Sequence, residues 1–177
     1  MLSLDLAQTR PPGLGPAFRP PPAMSSDVAL GEPVGSLRCV RQRGINYGAH
    51  IELFADNRGV VVPAGIGIAE PQRRRGVFVL GGRCAYPLRT VDPTGVIEIN
   101  RTGGSSPPTV GELFGVWGQP LSLSRMAGFA GTVVAFVDGR RWTGDPRSIP
   151  LARHTQVVLE LGPFVAPHRS YLFPPGL

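Results

Sequence analysis

Alternation of apolar and polar residues recurs along the chain and predicts short β-strands. "AHIELFAD" is followed by the turn "DNRG" and by "VVVPAGIGI", a pattern typical of a β-hairpin. "GVFVLG", "RCAYPLRTV" and "VIEIN" predict further strands, with a turn at "DPTG". A second hairpin is predicted at "GTVVAFVDGRRW" and a final strand at "HTQVVLELG".

One segment has helical spacing instead. Thr109 and Glu112 form a capping box, and apolar residues then recur at Val110, Leu113, Phe114 and Trp117 until Gly118 and Pro120. We therefore predict a β-rich (α+β) fold, in which a compact antiparallel or mixed β domain carries β-hairpins and one short amphipathic helix.

Proline divides the chain into two parts. The chain has 24 Gly and 20 Pro among 177 residues, and residues 1–36 combine many prolines with little periodic apolar content. We expect an extended arm there, and a single β-rich domain over residues 37–177. The tail "FVAPHRSYLFPPGL" is too rich in proline for a central strand and too apolar to be fully exposed to solvent. It should therefore lie across the edge of the core.

The formal charge is +6, and every basic residue is Arg. Arg10 and Arg19 belong to the arm, and Arg73, Arg74 and Arg75 form the run "QRRRG", which we interpret as a loop. That loop is either a solvated segment or a docking site for an anionic partner or an acidic membrane surface. We do not expect nucleic-acid binding, because the aromatic residues are assigned to the core and the helix.

Candidate chemistry is sparse. There is no G-x-S-x-G elbow and no Cys–His pairing, and each histidine is solitary in sequence, so we predict that the protein is not an enzyme. His50 is interpreted as a core or turn histidine bonded to a backbone carbonyl, with metal ligation as the alternative. His154 should lie in the loop before the last strand, and His168 should be exposed.

Cys39 and Cys84 either form a disulfide or are two buried thiols. No export signal or apolar stretch of about 20 residues is visible.

Several motifs together resemble a family of bacterial proteins, mostly exported or lipid-anchored, for which no activity is established. Its hallmarks are a strand similar to "HIHAHL", then "V-P-A-G-I-G-I", "C-x-Y-W-L-H-T-H-D-x-x-G-V-I-H-I-E" and "W-G-Q-P-L-S". It ends with "G-D-P-R-x-I-P-L-x-x-H" and "F-P-P-G-L". This chain carries "VPAGIGI", "CAYPLRTVDPTGVIEI", "TVGELFGVWGQPLS", "GDPRSIPLARH" and "YLFPPGL". The resemblance covers nearly all of residues 39–177.

The resemblance implies a histidine cluster on neighbouring strands, suited to a transition metal. This chain departs from that pattern in four places, where Gly48, Arg89, Val91 and Glu98 replace histidines. A reduced set of His50, Glu98 and His154 could hold copper or zinc, but the charge of Arg89 opposes a cation. We hypothesise that Arg89 and Glu98 form an ion pair in a degenerate metal site.

The resemblance also favours a Cys39–Cys84 disulfide, because both residues match family cysteines. A disulfide implies an extracytoplasmic or periplasmic location. The function we expect is that of a non-catalytic accessory or structural subunit without a cofactor. It would dock onto other subunits of a larger assembly, one that can be membrane-associated, through its arm and its Arg-rich loop. The alternative is a small extracytoplasmic metal-binding protein.

Overall fold

The structure, a computed structural model, describes residues 30–41, 44–100 and 106–177. Most of the predicted arm, including Arg10 and Arg19, lies outside the described residues.

Short strands dominate this part of the chain, with one α-helix, α1, and one 3₁₀-helix, Pro146–Ser148. In chain order the elements are β1 Tyr47–Ala55, β2 Arg58–Val60, β3 Ile68–Arg75, β4 Phe78–Ala85, β5 Leu88–Arg89, β6 Val96–Ile99, α1 Val110–Trp117, β7 Leu121–Ser122, β8 Arg125–Met126, β9 Phe129–Ala130, β10 Val133–Val137, β11 Arg140–Trp142 and β12 Gln156–Leu161. The predicted β-rich fold with a short helix is confirmed.

The central sheet is mixed. Its strand order is β11–β10–β12–β1–β6–β5, and β2 pairs with the far end of β1. β1 and β12 run parallel, whereas the other pairs in this sheet are antiparallel. β1 is therefore hydrogen-bonded on both sides.

The two faces of β1 have different surroundings, because successive side chains of a strand point to opposite faces. Ala49, Ile51, Leu53 and Ala55 belong to the main core, together with helix α1. Gly48, His50 and Glu52 lie on the opposite face, and they too are buried. Since the helix covers only the first face, another segment must cover the second.

Helix α1 begins and ends as its sequence predicts. The Thr109 hydroxyl accepts a hydrogen bond from the Glu112 backbone N–H at 3.2 Å, and the Glu112 carboxylate accepts one from the Thr109 N–H at 2.8 Å. Gly118 ends the helix in the left-handed conformation, with φ of 71°. The fully buried Phe114 and Trp117 anchor the helix in the core.

The loop predicted for the arginine run was wrong. Arg73, Arg74 and Arg75 are not in a loop: they form the end of β3, which pairs with β4 in a separate two-stranded sheet. The turn of this hairpin is Gly76–Val77. The strand could not be predicted from the sequence pattern, because both of its faces are exposed at the arginine run. Neither face there has the apolar residues that produce period-two alternation.

Two other predicted strands are shorter than their patterns indicate. "VVVPAGIGI" leaves the sheet after Val60. Farther along this segment, Gly67 has φ of 73° and packs so closely against the Leu88 carbonyl that a side chain there would collide with it. "RCAYPLRTV" is divided between the end of β4 and the two residues of β5.

The Cys39–Cys84 disulfide is present, with an S–S distance of 2.07 Å. Next to it, the backbones of Val40 and Ala85 exchange two hydrogen bonds, of 3.0 and 2.8 Å. The β3–β4 hairpin is therefore fastened at its base to the segment that precedes β1.

Candidate functional site

The second face of the central sheet carries His50 and Glu98, two of the predicted metal ligands, and we call it the histidine face. Its members are Gly48, His50 and Glu52 on β1, Glu98 on β6 and Gln156 on β12. They lie side by side because His50 pairs with Gln156 and Gly48 pairs with Glu98 across the strands. The C-terminal tail, residues 163–177, covers this face.

His50 is fully buried and uses both ring nitrogens. Nε2 lies 2.8 Å from the Thr94 carbonyl oxygen, to which it donates, and Nδ1 lies 2.7 Å from Gln156 Oε1. The predicted bond to a backbone carbonyl is therefore present. The His50 ring also stacks on Tyr171 of the tail, with the ring centroids 3.7 Å apart.

Burial lowers the pKa of His50, against the opposing effects of the Thr94 carbonyl, Gln156 and Glu52. A neutral ring that donates from Nε2 can only accept at Nδ1, so the Gln156 amide must then turn its nitrogen toward the ring. Gln156 Nε2 is buried and lacks another hydrogen-bond partner among the described residues. The amide of Gln156 can thus serve either protonation state of His50 by rotating.

Glu52 is the second buried polar residue of the histidine face. Its carboxylate accepts hydrogen bonds from His168 Nδ1 at 2.8 and 2.9 Å and lies 3.9 Å from His50 Nδ1. The side chain of Glu52 is 3% exposed, whereas that of His168 is 64% exposed. A buried carboxylate is costly without a partner, so His168 gives the tail a polar attachment to the sheet.

His154 holds the last residues of the chain. Its Nε2 donates to the Leu177 carbonyl oxygen at 2.7 Å, and its ring stacks on Phe173. Gly48 lies directly beneath these residues: a Cβ at this position would be 3.0 Å from Phe173 Cδ1 and 3.1 Å from Leu177 Cβ. The absence of a side chain at Gly48 therefore makes room for the tail.

The tail has one more attachment, farther along the sheet. The buried Glu160 accepts a hydrogen bond from the backbone of Val165, and burial raises the pKa of this carboxyl. Val165 packs against a small apolar cluster made by Phe54, Phe136 and Val158. The tail thus lies across the face of the sheet. The sequence-based prediction, which placed the tail at the edge of the core, was wrong on this point.

Arg89 and Glu98 form the ion pair hypothesised from the sequence. Arg89 Nε donates to Glu98 Oε2 at 2.8 Å, and both side chains are mostly buried. Val91 and Glu98 line a cleft of about 260 Å³ between the sheet and the tail residues Tyr171 and Pro174–Leu177. That this pair occupies a former metal site stays a prediction.

The predicted metal ligands do not form a coordination group. In residues 30–41, 44–100 and 106–177, no three His, Cys, Asp or Glu side chains are arranged to hold a metal ion. His50 and His154 direct their ring nitrogens to carbonyl and amide groups, and Glu98 binds Arg89. Ligation by His50, Glu98 and His154 would require all three to leave these partners.

Sequence reasoning missed the residues that make the histidine face a tail-binding surface. Glu52 had a visible signal, since it is two residues from His50 and therefore on the same face of β1. Tyr171 and Phe173 had only a weak one, the aromatic residues of a proline-rich tail. Which of the histidines each would contact depends on the path of the tail, which has no repeating pattern.

The second candidate site is the β3–β4 hairpin, which we call the Arg hairpin. Arg73, Arg74 and Arg75 are all exposed at its far end. Glu70 is the nearest acidic residue in the hairpin, and it binds Arg83 at 2.7 Å. Near the turn, Val77, Phe78 and Leu80 are 63, 42 and 48% exposed. The Arg hairpin therefore combines cationic and apolar side chains that the fold itself does not use.

Comparison with family models, with curated proteins and with solved structures finds no match to this chain. The resemblance to the bacterial family thus stays a prediction based on motifs. None of the helices in the described segments is long and apolar enough to span a membrane.

Proposed function

We propose that this protein is a non-catalytic accessory or structural subunit that docks onto a larger assembly through its N-terminal arm and its Arg hairpin. The observation that carries the proposal is the Arg hairpin, where three arginines and three large apolar residues are exposed on an element outside the central sheet. Exposed apolar residues next to unneutralised charge are typical of an interaction site.

The histidine face supports a non-catalytic role. A catalytic group must be within reach of a substrate, yet His50 is buried beneath Tyr171, and Glu52 is engaged by His168. The metal-binding alternative would need His50 and His154 to exchange their present partners for an ion. Metal analysis of the purified protein after chelation and desalting tests that alternative directly.

The Cys39–Cys84 disulfide supports an extracytoplasmic or periplasmic location as part of this proposal. Disulfides persist in oxidising compartments and are rare where cellular thiols keep cysteines reduced.

The proposal is tested by the size of the native particle that contains the protein. We expect the full chain, extracted gently at low salt and separated by sedimentation, to migrate far above its own mass of 18.8 kDa. Joint replacement of Arg73, Arg74 and Arg75 by Gln should shift it toward that mass.

Arg140→Gln with Arg141→Gln is the matched control, since these arginines are exposed on another hairpin, β10–β11. Migration of the unaltered protein as a free 18.8 kDa chain in its native extract would refute the proposal.

A further inference from the structure

The Arg hairpin presents an apolar tip with a defined direction. Phe78 and Leu80 are on the same face of β4, since they are two residues apart, and Val77 extends the patch into the turn. Val79, between them, is 1% exposed and points toward the domain, where its N–H donates to the Val91 carbonyl at 2.7 Å. Val79 anchors the strand, so the outward residues are free to contact something else.

Positive charge surrounds this tip without compensation from the described residues. The sequence has no acidic residue between Glu70 and Asp92. Among the described residues, no ion pair involves Arg73, Arg74 or Arg75. Arg75 pairs with Phe78 in the β3–β4 register, so their side chains share one face. Charge complementarity therefore requires an anionic partner.

The base of the hairpin is held firmly. The Cys39–Cys84 disulfide and the Val40–Ala85 backbone hydrogen bonds fasten its lower half. An isolated two-stranded hairpin is only marginally stable in water, so these attachments maintain the shape of the tip. A tip that is already ordered loses little conformational entropy when it binds.

The free edge of β3 is unsuited to pairing with a strand from another protein. Pro71 lacks an N–H group, and the pairing register shifts on both sides of Arg73. Proline, irregularity and charge are the features by which proteins prevent strand addition at an edge. A partner must therefore contact the side chains of the tip and not the backbone of β3.

The size and shape of the tip distinguish between the remaining partners. A stable protein interface buries roughly 800 Å² on each side, which three apolar side chains at a narrow turn cannot provide alone. A bilayer interface makes no such demand, because apolar side chains insert into it individually and each nearby arginine adds attraction to anionic headgroups.

We infer that the Arg hairpin is an interfacial anchor for anionic lipid bilayers, with Val77, Phe78 and Leu80 inserted at the headgroup level and Arg73, Arg74 and Arg75 bound to lipid phosphates or carboxylates. The inference rests on the proposed function and names the surface that this part of the accessory subunit contacts.

Vesicle sedimentation with the full chain tests the inference. We expect binding to vesicles of phosphatidylcholine with phosphatidylglycerol, loss of binding at high salt, and little binding to phosphatidylcholine alone. Joint replacement of Arg73, Arg74 and Arg75 by Gln should weaken the partition coefficient roughly 100-fold at low salt, at about fivefold for each arginine. Phe78→Ala should weaken it roughly tenfold.

Control variants separate this surface from general basicity. Arg140→Gln with Arg141→Gln, and Leu123→Ala at another exposed apolar residue, should leave vesicle binding within about twofold. A Phe78→Trp variant should show a blue shift of tryptophan emission with anionic vesicles, whereas Leu123→Trp should show none.

Failure of the inference can be told from failure of the proposed function. Absence of binding to anionic vesicles, or equal losses in the control variants, overturns the lipid inference. If the native particle still depends on the Arg hairpin in that case, a protein surface is the partner and the accessory role stands. If vesicles bind but the native particle is the free chain, the accessory role fails, and the Arg hairpin is a lipid-binding element of a free protein and not of a subunit.

Discussion

The histidine face and the Arg hairpin differ in where their polar groups find partners. On the histidine face, both nitrogens of His50 and the carboxylate of Glu52 are engaged within the chain, and the C-terminal tail excludes solvent. On the Arg hairpin, three arginines and three apolar side chains are exposed to solvent. Buried polar groups need internal partners for stability, whereas exposed ones remain available for binding. The reactive residue types of the histidine face are therefore engaged within the chain, whereas the groups available for binding lie on the Arg hairpin.

Loss of the disulfide should produce the largest change in stability and separate the two regions. Replacement of Cys39 and Cys84 by Ala should lower the free energy of unfolding by roughly 2–4 kcal/mol, because the 45-residue separation of the cysteines makes their link restrict the unfolded chain strongly. Urea unfolding measures the change, and the unaltered protein with thiol reductant is the control.

Hydrogen exchange locates the effect of that change. Amides of β3 and β4 should exchange faster in the variant, whereas those of β1 and β12 should lose protection only as far as overall stability falls. Uniform loosening of the whole domain would contradict a local role for the disulfide.

A side chain in the space above Gly48 should displace the C-terminal tail from the histidine face. Gly48→Val should lower the free energy of unfolding by roughly 1–3 kcal/mol, since the valine side chain would collide with Phe173 and Leu177. Limited proteolysis should then cut the C-terminal tail sooner than in the unaltered protein.

Gly128→Ala is the matched control for that substitution. A Cβ at Gly128 has no neighbour within 4 Å, so stability and tail cleavage should not change appreciably. Equal effects of the two variants would mean that the tail does not depend on the space above Gly48.

The histidine face also shows what sequence can predict and what it cannot. Period-two alternation located β1 and β12, and the Thr109–Glu112 capping box located the start of helix α1, because these signals come from residues close together in sequence. The contacts of Tyr171 and His168 could not be predicted in that way. They join positions more than 100 residues apart through a tail without periodicity, so only the folded chain identifies their partners.

The Arg hairpin was misassigned for a related reason. A strand reveals itself when one face is buried, and the far end of β3 buries neither. Its pairing with β4 depends on a turn at Gly76 and on fastening at Cys84, which is ten residues beyond Arg74. The exposure that makes this element available to a partner is also what obscured its secondary structure.

Acid should weaken the histidine face before it affects the Arg hairpin. Because the pKa of His50 is lowered from 6.5 in the folded protein, the unfolded chain binds more protons than the folded chain below that pH. The stability contributed by neutral His50 is complete above about pH 6.5. It is lost as the pH falls toward the pKa of His50 in the folded protein. Each unit by which the pKa is lowered corresponds to about 1.4 kcal/mol.

Urea unfolding between pH 8 and pH 5 measures this dependence. His50→Gln should flatten the slope below pH 6.5, even if it lowers stability at every pH through loss of the stack on Tyr171. Glu160 contributes with the opposite sign, because its raised pKa favours the folded state when it is protonated, so the difference between the two proteins isolates His50. An unchanged slope in His50→Gln would mean that another group governs the acid response.

The smallest effect on stability should come from the residues with the largest expected effect on binding. Arg73, Arg74 and Arg75 are exposed and their like charges repel one another, so joint replacement by Gln should leave the free energy of unfolding within about 0.5 kcal/mol or raise it slightly. Urea unfolding checks this, with Arg89→Gln as the contrasting variant, since it removes the mostly buried partner of Glu98 and should destabilise the fold. If the hairpin variant were the more destabilised of the two, its arginines would be part of the fold and the distinction between the two regions would be wrong. If it is the less destabilised, the three arginines are not needed for the fold and remain available for contacts outside the chain.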